Sequence, residues 1–102
     1  MGRSPEIQIN RFQLALLLDN SQRGVYDEVL ANNVFCSHCG GIAQKGIVAE
    51  DIYLTRLNDI MVRGTCKACN GKVARIIEFG EDKTFCEKAN NFRSSKIRPS
   101  RG

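Results

Sequence analysis

The sequence predicts a small α+β domain, helical at both ends and built on an antiparallel sheet in the middle. Three observations predict it. Apolar residues recur at helical intervals up to residue 33 and again from about 84, β-branched and aromatic residues dominate between Ile47 and Phe79, and two Cys-x-x-Cys turns punctuate the chain at residues 36–39 and 66–69. At 102 residues the chain has room for one core and none for a second domain. Residues 1–93 are expected as that single domain, with a helical pair over about 10–33 and a C-terminal helix over about 84–93. Residues 94–102 read as a flexible basic tail.

The first helix is signalled by Asn10, which can cap, and by Gln13, three residues on, which can reach back to the cap. It should run from Arg11 to about Asp19. Phe12, Leu14, Ala15, Leu16, Leu17 and Leu18 cover most of its circumference, which predicts burial on more than one side. Ser21 is the expected cap of a second helix, with Val25, Val29 and Leu30 along one side and Tyr26 beside them. Three strands should follow, over Ile47–Leu57, Ile60–Thr65 and Lys72–Phe79. Asn58 and Asp59 both tolerate the left-handed backbone of a two-residue turn, so the hairpin is expected to span Asp51 to Thr65. After Gly80, Thr84 and Glu87 have capping-box spacing, and Phe85, Ala89 and Phe92 repeat at helical intervals.

Composition narrows the class. Hydrophobic residues make up 42% and charged residues 25%, as in a globular chain rather than a disordered one. The longest apolar run, Leu14 to Leu18, is far short of a membrane span, and the first residues lack the apolar core of a signal peptide. A cytoplasmic protein without a membrane partner is therefore expected. The net charge is +4, and from Lys88 onward there are five basic residues and no acid. That balance permits attraction to nucleic acid or to an acidic protein partner, or simply keeps the tail solvated.

Five cysteines in such a compartment favour metal or redox chemistry over disulfides, and an odd number cannot all pair within one chain. Cys36-Ser37-His38-Cys39 is followed, after 26 intervening residues, by Cys66-Lys67-Ala68-Cys69. Two residues between cysteines let a tight turn aim both sulfurs at one point, and two such turns supply four thiolates for a tetrahedral ion. Gly40-Gly41 follows the first pair and Asn70-Gly71 the second, residues that accept positive φ where the chain must curl so that backbone N–H groups meet the sulfurs.

From Val34 to about Phe79 the chain resembles the zinc-ribbon superfamily, in which two such knuckles hold one zinc beside a small sheet. The resemblance implies a three-stranded antiparallel sheet with two cysteine knuckles, flanked here by short N- and C-terminal helices. It implies one structural Zn2+ with Cys36, Cys39, Cys66 and Cys69 as ligands. The same thiolates suit iron, but a basic chain with no Trp and few aromatics near the knuckles is unlike the acidic, aromatic-packed rubredoxins. A thioredoxin-like redox pair would follow a strand and open a helix, whereas Cys36 follows a helical pattern and glycines follow Cys39. His38 sits where a knuckle residue points away from the ion, and Cys86, on the last helix, reads as a small buried residue.

Three functions are compatible with these motifs. The first is a non-enzymatic ribbon in a regulatory or accessory role on nucleic acid or a nucleic-acid machine. Pairing across Asn58-Asp59 would make Arg56 and Arg63 diagonal neighbours on one face, with Arg75 nearby and Arg93, Lys96, Arg98 and Arg101 in or near the tail, so these are its candidate contacts. The second is a protein-interaction or assembly module whose zinc is purely structural. Catalysis is the third and is not expected: ribbons resembling transcript-cleavage factors carry an acidic pair at the hairpin tip, one acid of which is here Asn58, and four thiolates leave zinc no open position. A groove-reading role for the first two helices is disfavoured by Asp27 and Glu28, which would face phosphates.

Overall fold

The computed structural model describes residues 6–97. Strand β1 (Ile7–Ile9) leads through Asn10 into helix α1 (Arg11–Leu17) and helix α2 (Asn20–Asn32). A miniature hairpin of β2 (Phe35–Cys36) and β3 (Gly41–Ile42) precedes three longer strands, β4 (Ile47–Leu54), β5 (Ile60–Cys66) and β6 (Lys72–Ile77). A single 3-10 turn at Phe79–Glu81 leads into α3 (Lys83–Ile97). The larger sheet is antiparallel and ordered β1-β4-β5-β6. It therefore has four strands where three were expected. β1 is only three residues long, too short for a periodicity to declare it, and exists because Ile7 and Ile9 pair with Leu54 and Ile52.

The first cap forms as the sequence predicts: the Gln13 N–H donates to Asn10 Oδ1 and the Asn10 N–H to Gln13 Oε1, both at 2.8 Å. The second belongs to Asp19 and Gln22 rather than Ser21. Buried Gln22 also donates from Nε2 to Asp82 Oδ2 at 3.2 Å, tying α2 to the start of α3. There Asp82, not Thr84, accepts from the helix, taking the Phe85 N–H at 3.1 Å. That bond, helped by Gln22, holds the Asp82 carboxyl below its ordinary value.

Ile9, Ile52, Leu54, Ile60, Val62 and Ile77 form the inner face of the sheet and pack with Leu14, Leu17, Phe85 and Ala89 of the helices. α1 is buried on one side only. Leu14, Leu17 and Leu18 are in the core, while Phe12 and Leu16 are 83% and 75% exposed, because seven residues give a single contact stripe. α3 continues to Ile97, so residues 94–97 extend the helix expected to end at 93. No helix among the described residues is long and apolar enough to cross a membrane.

The β4–β5 hairpin departs most from expectation. Leu54 pairs with Ile60 and Tyr53 with Met61, so the turn is the five-residue loop Thr55–Asp59 rather than Asn58-Asp59 alone. Asn58 has a φ of +65°, and the Leu57 and Asp59 N–H groups both donate to Thr55 Oγ1. The loop is then clasped by α3. Asn58 Oδ1 accepts from Arg93 Nε at 2.9 Å, and its Nδ2 donates to Asn90 Oδ1 at 3.1 Å and Cys86 Sγ at 3.3 Å. The Thr55 carbonyl accepts from Arg93 Nη2, and Asp59 Oδ1 from the Gly80 N–H at 2.8 Å.

Arg93 is therefore only 4% exposed and is a structural clasp, where the sequence pointed to a phosphate contact. Arg93→Ala should leave the buried Asn58 Oδ1 without its donor and remove one of the two donors to the Thr55 carbonyl, which keeps the Asn58 N–H at 2.9 Å. An orphaned buried acceptor costs about 1–3 kcal/mol, so a loss of about 2 kcal/mol is expected by urea denaturation. An unchanged midpoint would show that the clasp contributes nothing.

Candidate metal centre

Each knuckle is a strand end that reverses on itself. In the first, Cys36 pairs with Gly41 across β2 and β3, and its carbonyl accepts from the Gly40 N–H at 2.9 Å. In the second, Cys66 closes β5 and its carbonyl accepts from the Asn70 N–H at 2.8 Å. Gly40 and Asn70, the residues directly after each second cysteine, have φ of +78° and +62°. Glycine has no Cβ to oppose that conformation, and asparagine tolerates it better than most residues, which is why the turns fold locally. Gly41 and Gly71 do not adopt positive φ. Gly71 instead makes room: a Cβ there would lie 2.4 Å from His38 Cδ2 and 3.2 Å from Cys69 Sγ. The His38 ring thus rests on the opposite knuckle, a packing role that its position in the sequence does not signal.

The two turns bring the Sγ atoms of Cys36, Cys39, Cys66 and Cys69 within 4.8 Å of one another. Cys36 and Cys69 are 3.5 Å apart and Cys39 and Cys66 3.8 Å. Disulfides need about 2.05 Å. A tetrahedral ion with sulfurs at about 2.3 Å spaces them about 3.8 Å apart, so the cluster has the dimensions of a four-sulfur metal site. In each knuckle the first cysteine is buried and the second exposed. The Gly71 N–H points at Cys69 Sγ at 3.4 Å, the amide-to-sulfur bond expected to support thiolate charge. His38 is outside the cluster.

The free thiols are unequal. Backbone N–H groups of Ala68 and then Cys69 pull Cys66 down to about 7. Cys39 is pushed up to about 12 by the neighbouring sulfurs of Cys69, Cys66 and Cys36. The Gly71 N–H lowers Cys69, but the Cys36 sulfur and burial outweigh it and leave the thiol raised. Four thiols this close cannot all ionise without a cation between them, so the site favours an ion over an empty anionic cluster.

The candidate basic contacts are not gathered in the same way. Arg56 lies exposed in the Thr55–Asp59 loop. Arg63 pairs with Asp51 and Ala74 on the outer sheet face, its guanidinium 5.8 Å from the Tyr53 ring centroid. Arg75 pairs with Val62, so it projects from the opposite face to Arg63. The expected diagonal pairing of Arg56 with Arg63 is thus absent, because the longer loop removes Arg56 from the ladder. Lys96 lies in the last turn of α3, and Arg98 and Arg101 lie outside the described residues. Asp59, at the hairpin tip, is turned toward Gly80. Cys86 is half-buried and hydrogen-bonded rather than a simple apolar filler.

No family model matches the chain, and no curated protein or solved structure is significantly similar to it.

Proposed function

We propose that the chain is a non-enzymatic docking module of zinc-ribbon type, with one structural zinc held by Cys36, Cys39, Cys66 and Cys69. The four-sulfur cluster carries this reading. Bound there, zinc would cross-link the β2–β3 hairpin to the end of β5 and supply folding energy that a thin core lacks. Four thiolates fill a tetrahedral ion, so no position remains for substrate or water, which argues for structure over catalysis.

For the partner, the reading is protein rather than nucleic acid. Arg93 is buried, Arg63 and Arg75 occupy opposite faces, and Arg56 sits apart in a loop. Four of the eight exposed large apolar side chains among the described residues, by contrast, form two pairs: Phe12 and Leu16 one turn apart on α1, Phe35 and Ile42 opposite each other beside the first knuckle. The nucleic-acid reading keeps one supporting observation, Arg63 over Tyr53 on the outer sheet face.

Binding of duplex and single-stranded oligonucleotides across a salt series separates the two. Affinity no better than millimolar at low salt is expected. A micromolar affinity whose logarithm falls with log salt at about 0.7–0.9 per phosphate contact, flattened by Arg63→Gln, would reverse the choice.

A further inference from the structure

β4 has eight residues and β1 three, so β1 covers only Ile52–Leu54 and the first half of β4 is paired on one side only. Two hydrogen bonds fix which backbone groups face the open side. The Lys67 N–H donates to the Gly46 carbonyl at 3.0 Å, and the Cys66 N–H to the Gly71 carbonyl at 2.9 Å. Directly opposed residues in an antiparallel ladder alternate between bonded and non-bonded pairs. Gly46 and Val48 therefore face β5, Cys66 faces β6, and the N–H and C=O groups of Ile47 and Ala49 point away from β5 to the open side. Among the described residues nothing hydrogen-bonds to them there. A bulge at Glu50 ends the open stretch.

Beside this edge lies a groove of about 590 Å³ between β4 and the first two helices. Leu14, Leu18 and Leu30 give it an apolar lining. Arg11, Arg23 and Lys67 stand around it against one carboxylate, Asp27. An unpaired strand edge, an apolar lining and a cationic rim together match the way extended peptides add to a sheet: main-chain bonds give affinity and alternate side chains enter the groove.

We propose that this groove takes a short extended segment of a partner protein, acidic with alternating apolar residues, as an added strand beside Ile47–Ala49. The proposal rests on the protein-docking reading above and deepens it. The chain's own ends are poor occupants, because residues 1–5 and 98–102 contain arginine and no acid and would meet a rim of the same sign.

The test pans the full, zinc-loaded chain against a displayed library of random short peptides, then synthesises the enriched peptides with and without N-methylated alternate amides. Enriched peptides should be acidic and should slow amide exchange at Ile47 and Ala49 by about tenfold or more. N-methylation of the peptide should weaken binding by at least about tenfold, and so should the double variant Arg11→Glu/Arg23→Glu, provided it keeps its zinc. Peptides that bind without slowing those two amides, or that tolerate N-methylation, overturn the groove and leave the docking reading intact. No enriched peptide at all overturns the groove. The same result together with micromolar oligonucleotide binding overturns both.

Discussion

On the proposed zinc-bound reading, a chelator should unfold the chain, with collapse of the amide dispersion of all four strands of the main sheet in one transition. Structural zinc sites bind with about 10–16 kcal/mol at neutral pH, whereas a domain of this size has about 5–15 kcal/mol of net stability. Loss of the ion therefore exceeds what the core can retain. The effect spreads because Cys66 is the last residue of the inner strand β5, fully buried and paired with Ile47 of β4, while Cys36 ends β2, which packs against β6.

Acid should act in the same direction as chelator. In the metal-free cluster Cys39 is raised to about 12 and Cys69 also lies above its ordinary value, so both carry protons at neutral pH and release them when an ion binds. The loaded fold thus gains stability as pH rises and loses it as pH falls, because protons compete with the ion for sulfur. Cys66→Ser should abolish stoichiometric zinc, while Cys86→Ser should leave one zinc per chain. Metal analysis with NMR or circular dichroism on these variants decides the matter; a chelated chain with its dispersion intact, or zinc lost in Cys86→Ser, would refute the ligand set.

The second large effect is expected at a residue with no ligand role. A Cβ on Gly64 would lie 1.8 Å from the Val48 carbonyl oxygen, 2.8 Å from its carbon and 3.1 Å from Ala49 Cα. All three atoms are backbone of β4, next to the Glu50 bulge, so no side chain can swing aside. Gly64→Ala must separate β4 from β5 locally or shift the register, and overpacking of this kind reaches about 3 kcal/mol or more. In a domain of this length that corresponds to a fall in Tm of about 12 °C or more. Gly24→Ala gives the opposite sign. Gly24 lies inside α2 with nothing within 4 Å of an added Cβ, and replacing a helix-interior glycine should stabilise by about 0.5–1 kcal/mol. Thermal melts of the zinc-loaded variants check both; equal Tm shifts at Gly64 and Gly24 would show that the close backbone approach is not the cause.

The features legible in the sequence are those decided within four or five residues. Asn10 and Gln13 cap each other across one turn of helix, and Gly40 and Asn70 supply the left-handed residue that each knuckle needs directly after its second cysteine. The spacing of Cys36, Cys39, Cys66 and Cys69 was enough to nominate the ligands, because each two-residue turn orients its own pair of sulfurs before any distant contact forms. Strand β1, the five-residue loop and the fate of the arginines required the tertiary structure. Ile7–Ile9 is a strand only because β4 lies beside it, and the turn at Thr55–Asp59 is set by Asn58 reaching Arg93, 35 residues away in sequence. The same clasp buries a cation that composition had assigned to the surface, and the register that follows sends Arg63 and Arg75 to opposite faces. Local backbone preference and ligand spacing act on a few neighbouring residues, whereas strand register and burial are fixed by the hydrogen bonds and packing partners that only the assembled fold brings together.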